Sequence, residues 1–377
     1  MPITILRPLK SLYIHIPFCK SKCYYCSFVS LTDKNNYIDA YVNALLKEMN
    51  SVLSSYKKQR ISSVYIGGGT PSLLEVKHFE QILTVIYDLL DISMNTEITV
   101  EVNPGTVDRK YLNELYFSGI SRVSIGVQSF DDQILKTINR IHNKQQAIET
   151  VKIAEDAGFN NISIDLIYGL PGQDLKLWEE TLNQAVELDI RHISTYGLKI
   201  EEGTVFGRTP PPNLPDQDIA ADMYLKTIEI LEKNNFKHYE ISNFAKSGCE
   251  SKHNLAYWNN EEYFGFGLAA HGYLDGVRYS NSCDFNEYLD NPLKRASEHK
   301  MTEKEILEEA VFLGLRRVKG INMKKFNSEY GVDLVKMYKD VIKKYTDYGF
   351  MEIKKDYLRL TTKGILISNS ILAEFLL

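Results

Sequence analysis

The stretch HIPFCKSKCYYC, His15 to Cys26, carries three of the chain's five cysteines in the spacing C-x3-C-x2-C. Thiols this close together make a poor disulfide scaffold, and the odd total of cysteines argues against a disulfide framework as well. Metal binding is therefore the leading use of the three thiols, which belong to Cys19, Cys23 and Cys26.

Two kinds of metal site fit this spacing. A structural zinc ion takes four ligands, so a fourth would have to come from His15, Cys249 or Cys283. A cubane iron–sulfur cluster bound through three thiolates is chemically different, because one of its iron atoms has no protein ligand. That open iron is free to bind a substrate or a cofactor.

The composition is that of an ordinary globular protein, with 44% hydrophobic and 25% charged residues in a chain of 377. The formal charge of -5 gives no electrostatic reason to expect nucleic acid as a partner. The segment MPITILRPLKSLYIHI lacks the features of a signal peptide, and no window reaches the roughly 20 apolar residues of a membrane span. We expect a cytoplasmic protein.

Apolar, β-rich runs recur along the chain, and a segment of helical length follows each of them. We predict strands in the runs SLYIHI from Ser11, SVYIGGG from Ser63, EITVEVN from Glu97, RVSIGVQS from Arg122, NISIDLIYGL from Asn161 and HISTYGLKI from His192. The first helix has an apolar face formed by Ile38, Val42, Leu45, Leu46, Met49 and Leu53. Repeated βα units imply parallel strands, in either an open barrel or a doubly wound sheet, because a closed barrel needs eight.

Polar residues that a buried strand does not need stand at or near the ends of these strands. They are the GGGTP run from Gly67 to Pro71, Glu101, Gln128, Asp165 and Tyr196. In α/β proteins the ligand lies at the carboxyl ends of the strands, so these groups would converge on one site. The cysteine stretch follows the first strand, and we expect it to face the same site.

The chain changes character twice towards its C-terminus. The run RTPPPNLPD around Pro210 is too rich in proline for a helix or a strand and predicts a surface loop. Beyond Lys300, helical patterns in TEKEILEEAVFLGLRR and DLVKMYKDVIKKYTDYG precede an alternating pair, MEIKKDYLRLT, and a final apolar helix. We interpret this part as a small winged-helix-like domain in a packing or lid role, since its basic excess is too modest to predict DNA binding.

The motif C-x3-C-x2-C after the first strand of an α/β barrel resembles the signature of radical S-adenosylmethionine (SAM) enzymes. The resemblance implies a [4Fe-4S] cluster whose open iron chelates the methionine part of SAM, and one-electron cleavage to a 5'-deoxyadenosyl radical. GGGTP would let bare backbone approach a charged end of the ligand. Glu101, Gln128 and Asp165 could bond ribose hydroxyls, and Arg140 could hold a carboxylate through two bonds.

Further motifs resemble, in order, the oxygen-independent coproporphyrinogen III oxidase group: LYIHIPFC, GGGTPS, EVNPG, GVQSF, NRIH and IDLIYGLPGQ. The resemblance implies a partial (β/α)6 radical SAM barrel over residues 1–300 and a C-terminal domain of that group over residues 301–377. It implies a cluster on the three cysteines. It also implies SAM contacts from Tyr13, Tyr25, Gly68, Gly69, Thr70, Glu101, Gln128, Arg140 and Asp165.

Two branches of this group differ in function. The oxidases decarboxylate porphyrinogen propionates and typically carry a fourth cysteine where this chain has Phe28, together with a longer N-terminal segment. The HemW-type haem chaperones are marked by H-N-x-x-Y-W, and this chain has HNLAYW from His253 to Trp258. An imidazole can bind haem iron and aromatic rings can flank the macrocycle. His253, Tyr257 and Trp258 could instead be a loop histidine and two core anchors, but the resemblance favours a haem site, with His271 as a second candidate.

The resemblance to the chaperone branch implies a protein that binds haem and passes it to acceptor haem proteins, such as respiratory enzymes. Because haem must leave when an acceptor offers better coordination, we expect one histidine on an accessible segment, and peripheral association with membranes is a hypothesis. The alternative is a coproporphyrinogen III oxidase or another radical enzyme acting on a tetrapyrrole. A third alternative is a zinc-stabilised regulator with a winged helix.

Overall fold

A computed structural model of the protein describes residues 11 to 376. The expectation about a signal peptide rests mainly on residues 1–10, which lie outside the described residues. Six strands coincide with the six predicted runs, although two of them begin earlier than the sequence indicates. The strands are β1 (Ser11–Ile16), β2 (Arg60–Gly68), β3 (Asp91–Val102), β4 (Arg122–Gln128), β5 (Ile162–Tyr168) and β6 (His192–Gly197).

The order of these strands decides between the two predicted architectures. They lie side by side as β1-β2-β3-β4-β5-β6, and every neighbouring pair is parallel. A doubly wound sheet reverses its direction of growth at a switch point, whereas here each new strand is added on the same side. This order is that of a β/α barrel left open after six strands, and the predicted partial (β/α)6 barrel is confirmed.

Helices cover the outer face of the barrel. They are α1 (Ile38–Leu53), α2 (Val76–Leu89), α3 (Arg109–Phe117), α4 (Asp132–Thr137), α5 (Lys144–Asp156) and α6 (Leu175–Val186). Alternate strand residues such as Ile14 and Val64 are fully buried in the hydrophobic core that these helices share. The other set, which includes Ser63, Glu97 and Arg122, places polar side chains inside the barrel. The barrel interior is therefore polar even where it is buried.

Six short strands that sequence analysis did not predict extend the sheet to twelve. On one side β9 (Tyr263–Phe266) pairs in parallel with β1 and leads into an antiparallel run, and on the other side β8 (Asn243–Ala245) pairs antiparallel with β6. All of them except β12 (Arg295–Lys300) have three to five residues, too few for a sequence pattern to show. This part contains α7 (Val205–Arg208), α8 (Gln217–Lys233), β7 (Lys237–Glu240), β8 (Asn243–Ala245), α9 (Lys252–Trp258), β9 (Tyr263–Phe266), β10 (His271–Leu274), β11 (Val277–Asn281), α10 (Phe285–Asp290) and β12 (Arg295–Lys300).

The part beyond Lys300 packs around a second hydrophobic core that includes Val311, Leu334 and Ile371. The predicted hairpin is present as β14 and β15, and β13 adds a third strand to it. The elements are α11 (Glu303–Gly314), β13 (Ile321–Asn322), α12 (Met323–Tyr330), α13 (Leu334–Met337), α14 (Lys339–Asp347), β14 (Met351–Lys354), β15 (Tyr357–Leu360), α15 (Thr362–Leu366) and α16 (Ser368–Ala373). Sequence analysis missed α12, and the second and last predicted helices are each broken in two.

The segment from Thr209 to Asp216 has no regular secondary structure, as its prolines predict. Single turns of 3-10 helix complete the described chain at Asn35–Tyr37, Ser54–Tyr56 and Pro71–Leu73. None of the helices between residues 11 and 376 is long and apolar enough to cross a membrane.

Candidate functional site

The three cysteines of the opening stretch lie on the loop between β1 and α1 and face one cavity of about 380 Å³. Backbone hydrogen bonds anchor both ends of this loop, from Cys19 N to Leu31 O (2.9 Å) and from Leu31 N to Pro17 O (2.7 Å). A third bond, from Tyr24 N to Ile138 O (3.2 Å), ties its middle to the end of α4. The thiols are therefore held at the carboxyl ends of the strands, as predicted.

The thiols share a cavity wall but do not meet at one point. Within residues 11–376, no three side chains of His, Cys, Asp or Glu are grouped to hold a single metal ion. His15, one proposed fourth ligand, has both ring nitrogens in hydrogen bonds, to the Tyr13 hydroxyl and to Val29 O (both 2.9 Å). A cubane cluster fits better, because its thiolates bind different iron atoms and stay apart.

Two of the sulfur atoms accept hydrogen bonds from neighbouring side chains. Thr70 Oγ1 donates to Cys19 Sγ (3.6 Å), and Arg140 Nη1 donates to Cys23 Sγ (3.5 Å). Burial raises the pKa of the Cys19 and Cys26 thiols, so a bound metal would be needed to hold them as thiolates. Hydrogen bonds to sulfur are a normal part of iron–sulfur sites. The donor set therefore fits a cluster bound by three cysteines.

The same cavity gathers nearly all the residues predicted to contact SAM. One of the nine, Tyr13, is not part of its lining, because its ring lies deeper in the barrel beside Tyr65 (ring centroids 6.3 Å apart). Phe28, which replaces the oxidases' additional cysteine, lies on the rim with 63% of its surface exposed. The predicted residues that line the cavity are Tyr25, Gly68, Gly69, Thr70, Glu101, Gln128, Arg140 and Asp165.

The GGGTP run lines the cavity, but its amides are used within the protein. Its amides donate to protein acceptors: Gly68 N to Glu101 Oε2 (2.9 Å), Gly69 N to Ile16 O (2.8 Å) and Thr70 N to Phe18 O (2.7 Å). A Cβ atom on Gly69 would lie 2.6 Å from Phe18 O, so a larger residue would push the cysteine loop away. The glycines thus bring the cysteine loop against β2, and these three amides are not free for a ligand.

Arg140 is also committed to the protein rather than free for a carboxylate. Besides Cys23, its guanidinium donates from Nη2 to Asn103 Oδ1 (2.6 Å) and to Gly126 O. Asn103 in turn donates from Nδ2 to Thr70 Oγ1 (2.8 Å). Sequence analysis missed Asn103, although it lies in the EVNPG motif immediately after β3. It links the arginine to the cysteine loop, so the predicted two-bond contact of Arg140 with a ligand needs rearrangement.

Two carboxylates face the cavity from β3 and β5, the strands on either side of β4. Glu101 accepts from the Tyr65 hydroxyl (2.7 Å), and burial together with Asp165 raises its pKa from 4.5 to about 7. Asp165 accepts from Ser124 Oγ (3.3 Å), and burial raises its pKa as well. A ligand that offers hydroxyl donors would stabilise the ionised forms of both. Tyr65 is a second residue that sequence analysis did not identify.

The HNLAYW segment forms α9 inside the amino-terminal end of the barrel. Glu97 accepts hydrogen bonds there from Lys252 N (3.0 Å) and His253 N (3.4 Å), so its carboxylate caps the helix. The register places Glu97 beside Ser63 and Ser63 beside Ser11, the first residue of β1. The segment therefore lies at the opposite end of the strands from the cysteines.

His253 is buried, with only 2% of its surface exposed, and the prediction of an accessible segment is wrong for this residue. Its ring stacks on Tyr65 with centroids 5.0 Å apart, and its Nδ1 lies 3.3 Å from Ser63 Oγ. Burial and the charge of Arg122 lower its pKa to about 3, so the imidazole is neutral at physiological pH. Its Nε2 has no hydrogen-bond partner in the described part of the chain.

The remaining haem candidates have different surroundings. Tyr257 packs edge-on against His253 with ring centroids 4.7 Å apart. Trp258 points away from the barrel interior and lines a second cavity. His271, the second candidate, is exposed at the start of β10. The structure thus brings His253 and Tyr257 together and leaves Trp258 and His271 apart from them.

An open (β/α)6 barrel with three thiols at its carboxyl end defines the radical SAM class of proteins. The family model for the radical SAM superfamily matches residues 13–185, and that for the HemN C-terminal domain matches residues 301–367. A solved structure titled coproporphyrinogen III oxidase (HemN) from Escherichia coli shares the fold, with a TM-score of 0.85. The match covers 100% of this chain and 91% of the HemN chain, at 22% sequence identity.

Curated relatives narrow this assignment. A Lactococcus lactis protein named heme chaperone HemW is 39% identical to this chain, over 99% of both chains. The proteins of the same name from Bacillus subtilis (38%) and Escherichia coli (35%) match over 98% of this chain and 99% of their own. The chain belongs to the HemW family.

Proposed function

We propose that this protein binds haem and transfers it to acceptor haem proteins. The family's name supports this role, and the observation that carries it is the buried, neutral His253 within HNLAYW. A buried ring nitrogen without a hydrogen-bond partner is uncommon and calls for an explanation. A neutral imidazole with a free nitrogen is the form that binds iron.

The position of His253 implies that haem is taken up in a second state of the chain. In the described state, the rings of Tyr65 and Tyr257 enclose the imidazole, and no macrocycle can reach its Nε2. The helix α9 has only seven residues, and Glu97 holds its first turn. Once the bonds to Glu97 break, so short a helix can leave as a unit. We propose that α9 swings out, presents His253 to haem and returns when an acceptor has taken the haem.

We further propose that the cavity at the other end of the barrel holds the cluster and SAM. Cys19, Cys23 and Cys26 would hold a [4Fe-4S] cluster, which when bound would supply a site for SAM and the electron for its cleavage. Glu101 and Asp165 would accept hydrogen bonds from ribose hydroxyls, and Arg140 would steady Cys23. The other contacts would come from Tyr25, Gly68, Gly69, Thr70 and Gln128, with Tyr13 supporting Tyr65 from behind.

In this proposal the two parts of the chain have different roles. We propose that residues 1–300 form the unit that holds the cluster, SAM and haem, and that residues 301–377 form a separate unit. The second hydrophobic core supports this division, because all of its buried members except Tyr224 lie beyond Lys300. The acceptors would be haem proteins such as respiratory enzymes, which the protein would approach from the cytoplasm or at the surface of a membrane.

A haem titration of the full chain tests the proposed function. We expect a Soret band with the parent protein and with His299→Ala, a control at an exposed histidine, and its loss with His253→Ala. His271→Ala should keep the band, because that residue stands outside the proposed site. If His253→Ala binds haem like the parent while His271→Ala does not, the assignment of His253 is wrong.

A second assay separates the chaperone from the oxidase, whose fold this chain shares. Reconstituted protein with SAM and reductant should not decarboxylate coproporphyrinogen at an enzyme-like rate. The residue at position 28 supports this expectation, because Phe28 offers no thiol at the rim of the cavity. Rapid decarboxylation would contradict the chaperone role.

A further inference from the structure

A second cavity, of about 290 Å³, lies where the end of α9 meets the C-terminal part of the chain. One wall is Trp258, the last residue of α9, and the facing walls come from α11, α12 and β15. It is therefore next to the HNLAYW segment but outside the barrel. Neither the cluster nor SAM uses it in the proposed function.

The lining of this cavity combines aromatic rings with positive charge. Phe326 and Tyr357 face it together with Trp258, and flat surfaces of this kind suit a planar ligand. Its charged side chains are three cations and one carboxylate: Arg317, Lys319, Lys325 and Glu329.

Two buried hydrogen-bond donors at this cavity have no partner within residues 11–376. They are Nε1 of Trp258 and Nε of Arg317. The guanidinium of Arg317 is held in place by bonds from Nη1 to Asn259 Oδ1 and from Nη2 to Gly320 O (3.1 Å). Because its buried Nε has no partner, the guanidinium would gain a hydrogen bond if a small shift brought this atom to an acceptor in the cavity.

The first turn of α12 adds to the positive character of the site. Asn322 caps this eight-residue helix by accepting from Lys325 N (2.8 Å), and both residues line the cavity. The amino end of a helix carries a partial positive charge. Lys319 lies over the ring of Tyr357, with its Nζ 4.8 Å from the ring centroid. A hydrogen bond from Asn322 and, to a lesser extent, Lys319 lower the pKa of the Tyr357 phenol.

We propose that this cavity binds the carboxylate edge of a planar macrocycle, through Arg317 and Lys325, beside the ring of Trp258. The inference rests on the proposed function, because it specifies where the propionate groups of the same cargo are held. Trp258 is the last residue of the short helix that carries His253, so movement of α9 would involve both the iron ligand and the propionate site. A basic, partly desolvated cavity also distinguishes carboxylates strongly from neutral groups.

Metal-free protoporphyrin tests the site without its iron. We expect the full chain to bind protoporphyrin roughly tenfold more tightly than its dimethyl ester, in which both carboxylates are masked. Lys325→Gln and Arg317→Gln should each lower the affinity for the diacid roughly tenfold and leave the affinity for the ester unchanged. Lys324→Gln is the matched control, because Lys324 is the adjacent lysine, pairs with Asp356 (3.0 Å) and does not line the cavity.

The outcomes separate this inference from the proposed function. Equal affinities for diacid and ester, or unchanged diacid affinity in both Lys325→Gln and Arg317→Gln, would overturn the carboxylate site. His253→Ala should lose the Soret band with haem yet keep the preference for the diacid porphyrin, because that ligand has no iron. Since Lys325 is exposed, its variant folds normally and an unchanged affinity there is a clear negative result.

Discussion

At the carboxyl ends of its strands the barrel holds an open cavity, whereas its amino-terminal end is filled by α9. Two carboxylates on the same face of β3 show the difference. Glu101 accepts from Tyr65 and Gly68 and still faces the cavity, while Glu97 is used to cap α9. The same strand thus provides a ligand-facing acid at one end and a structural one at the other.

Tyr65 stands between the two ends and contacts both. Its hydroxyl donates to Glu101 and its ring stacks on His253, so one side chain joins the cavity at the carboxyl ends to the histidine of the HNLAYW segment. An open end suits a cofactor that binds and leaves often. A filled end suits a ligand that is accepted only after a conformational change, as in population-shift binding.

The largest effect is expected at the open end. Cys23→Ala should abolish the iron–sulfur absorbance of reconstituted protein, because two remaining thiolates cannot hold the cluster. Cys283→Ala, at an exposed cysteine, should leave it intact. If the two ends act separately, Cys23→Ala should still give a Soret band with haem. Loss of both spectra would show that the haem end depends on the cluster end.

The next effect concerns the filled end. Glu97→Ala removes the acceptor for Lys252 N, His253 N and Ser251 Oγ, and should lower the free energy of unfolding by about 3 kcal/mol. Urea denaturation followed by circular dichroism measures this loss. The control Glu298→Ala, on exposed β12, should change stability by under about 0.5 kcal/mol. A loss no larger than the control's would mean that Glu97 does not hold α9.

The pH dependence of SAM binding around neutrality should come mainly from Glu101. Its pKa is raised to about 7, so the proportion of the carboxylate form, which accepts hydrogen bonds, rises with pH through neutrality. We expect SAM affinity, measured by calorimetry, to increase roughly tenfold between about pH 6 and 8. Glu101→Gln should remove this dependence. Glu240→Gln should not, although burial also raises the pKa of Glu240 to about 7, because Glu240 lies outside the cavity.

The smallest effect should come from Tyr65→Phe. This change removes the hydrogen bond to Glu101 and keeps the ring that stacks on His253. SAM affinity should fall roughly fivefold while the Soret band with haem stays as in the parent protein. If Tyr65→Phe altered the Soret band and left SAM affinity unchanged, the hydroxyl rather than the ring would connect Tyr65 to His253.

Most of the barrel could be predicted from sequence because each βα unit has its own local pattern. The choice between an open barrel and a doubly wound sheet could not, because strand order is a tertiary property. Strands such as β8, with three residues, are too short to show a pattern, and they form where existing sheet edges accept them.

The site could be predicted to a similar extent. Cys19 and Glu101 stand near the ends of predicted strands and Asp165 lies within one, and parallel strands bring their carboxyl ends together. The engagement of Arg140 by Asn103, and the burial of His253, depend on which elements pack against them. HNLAYW reads equally well as a surface helix, because only the tertiary fold places it inside the barrel.

Hydrogen exchange of α9 with and without haem tests most directly whether this end of the barrel opens. In the ligand-free chain, the amides of Lys252 and His253 donate to buried Glu97 and should exchange slowly. We predict that saturating haem speeds exchange at these two amides, because α9 has left the barrel. Full development of the Soret band with unchanged protection of both amides would show that α9 stays in the barrel when haem binds.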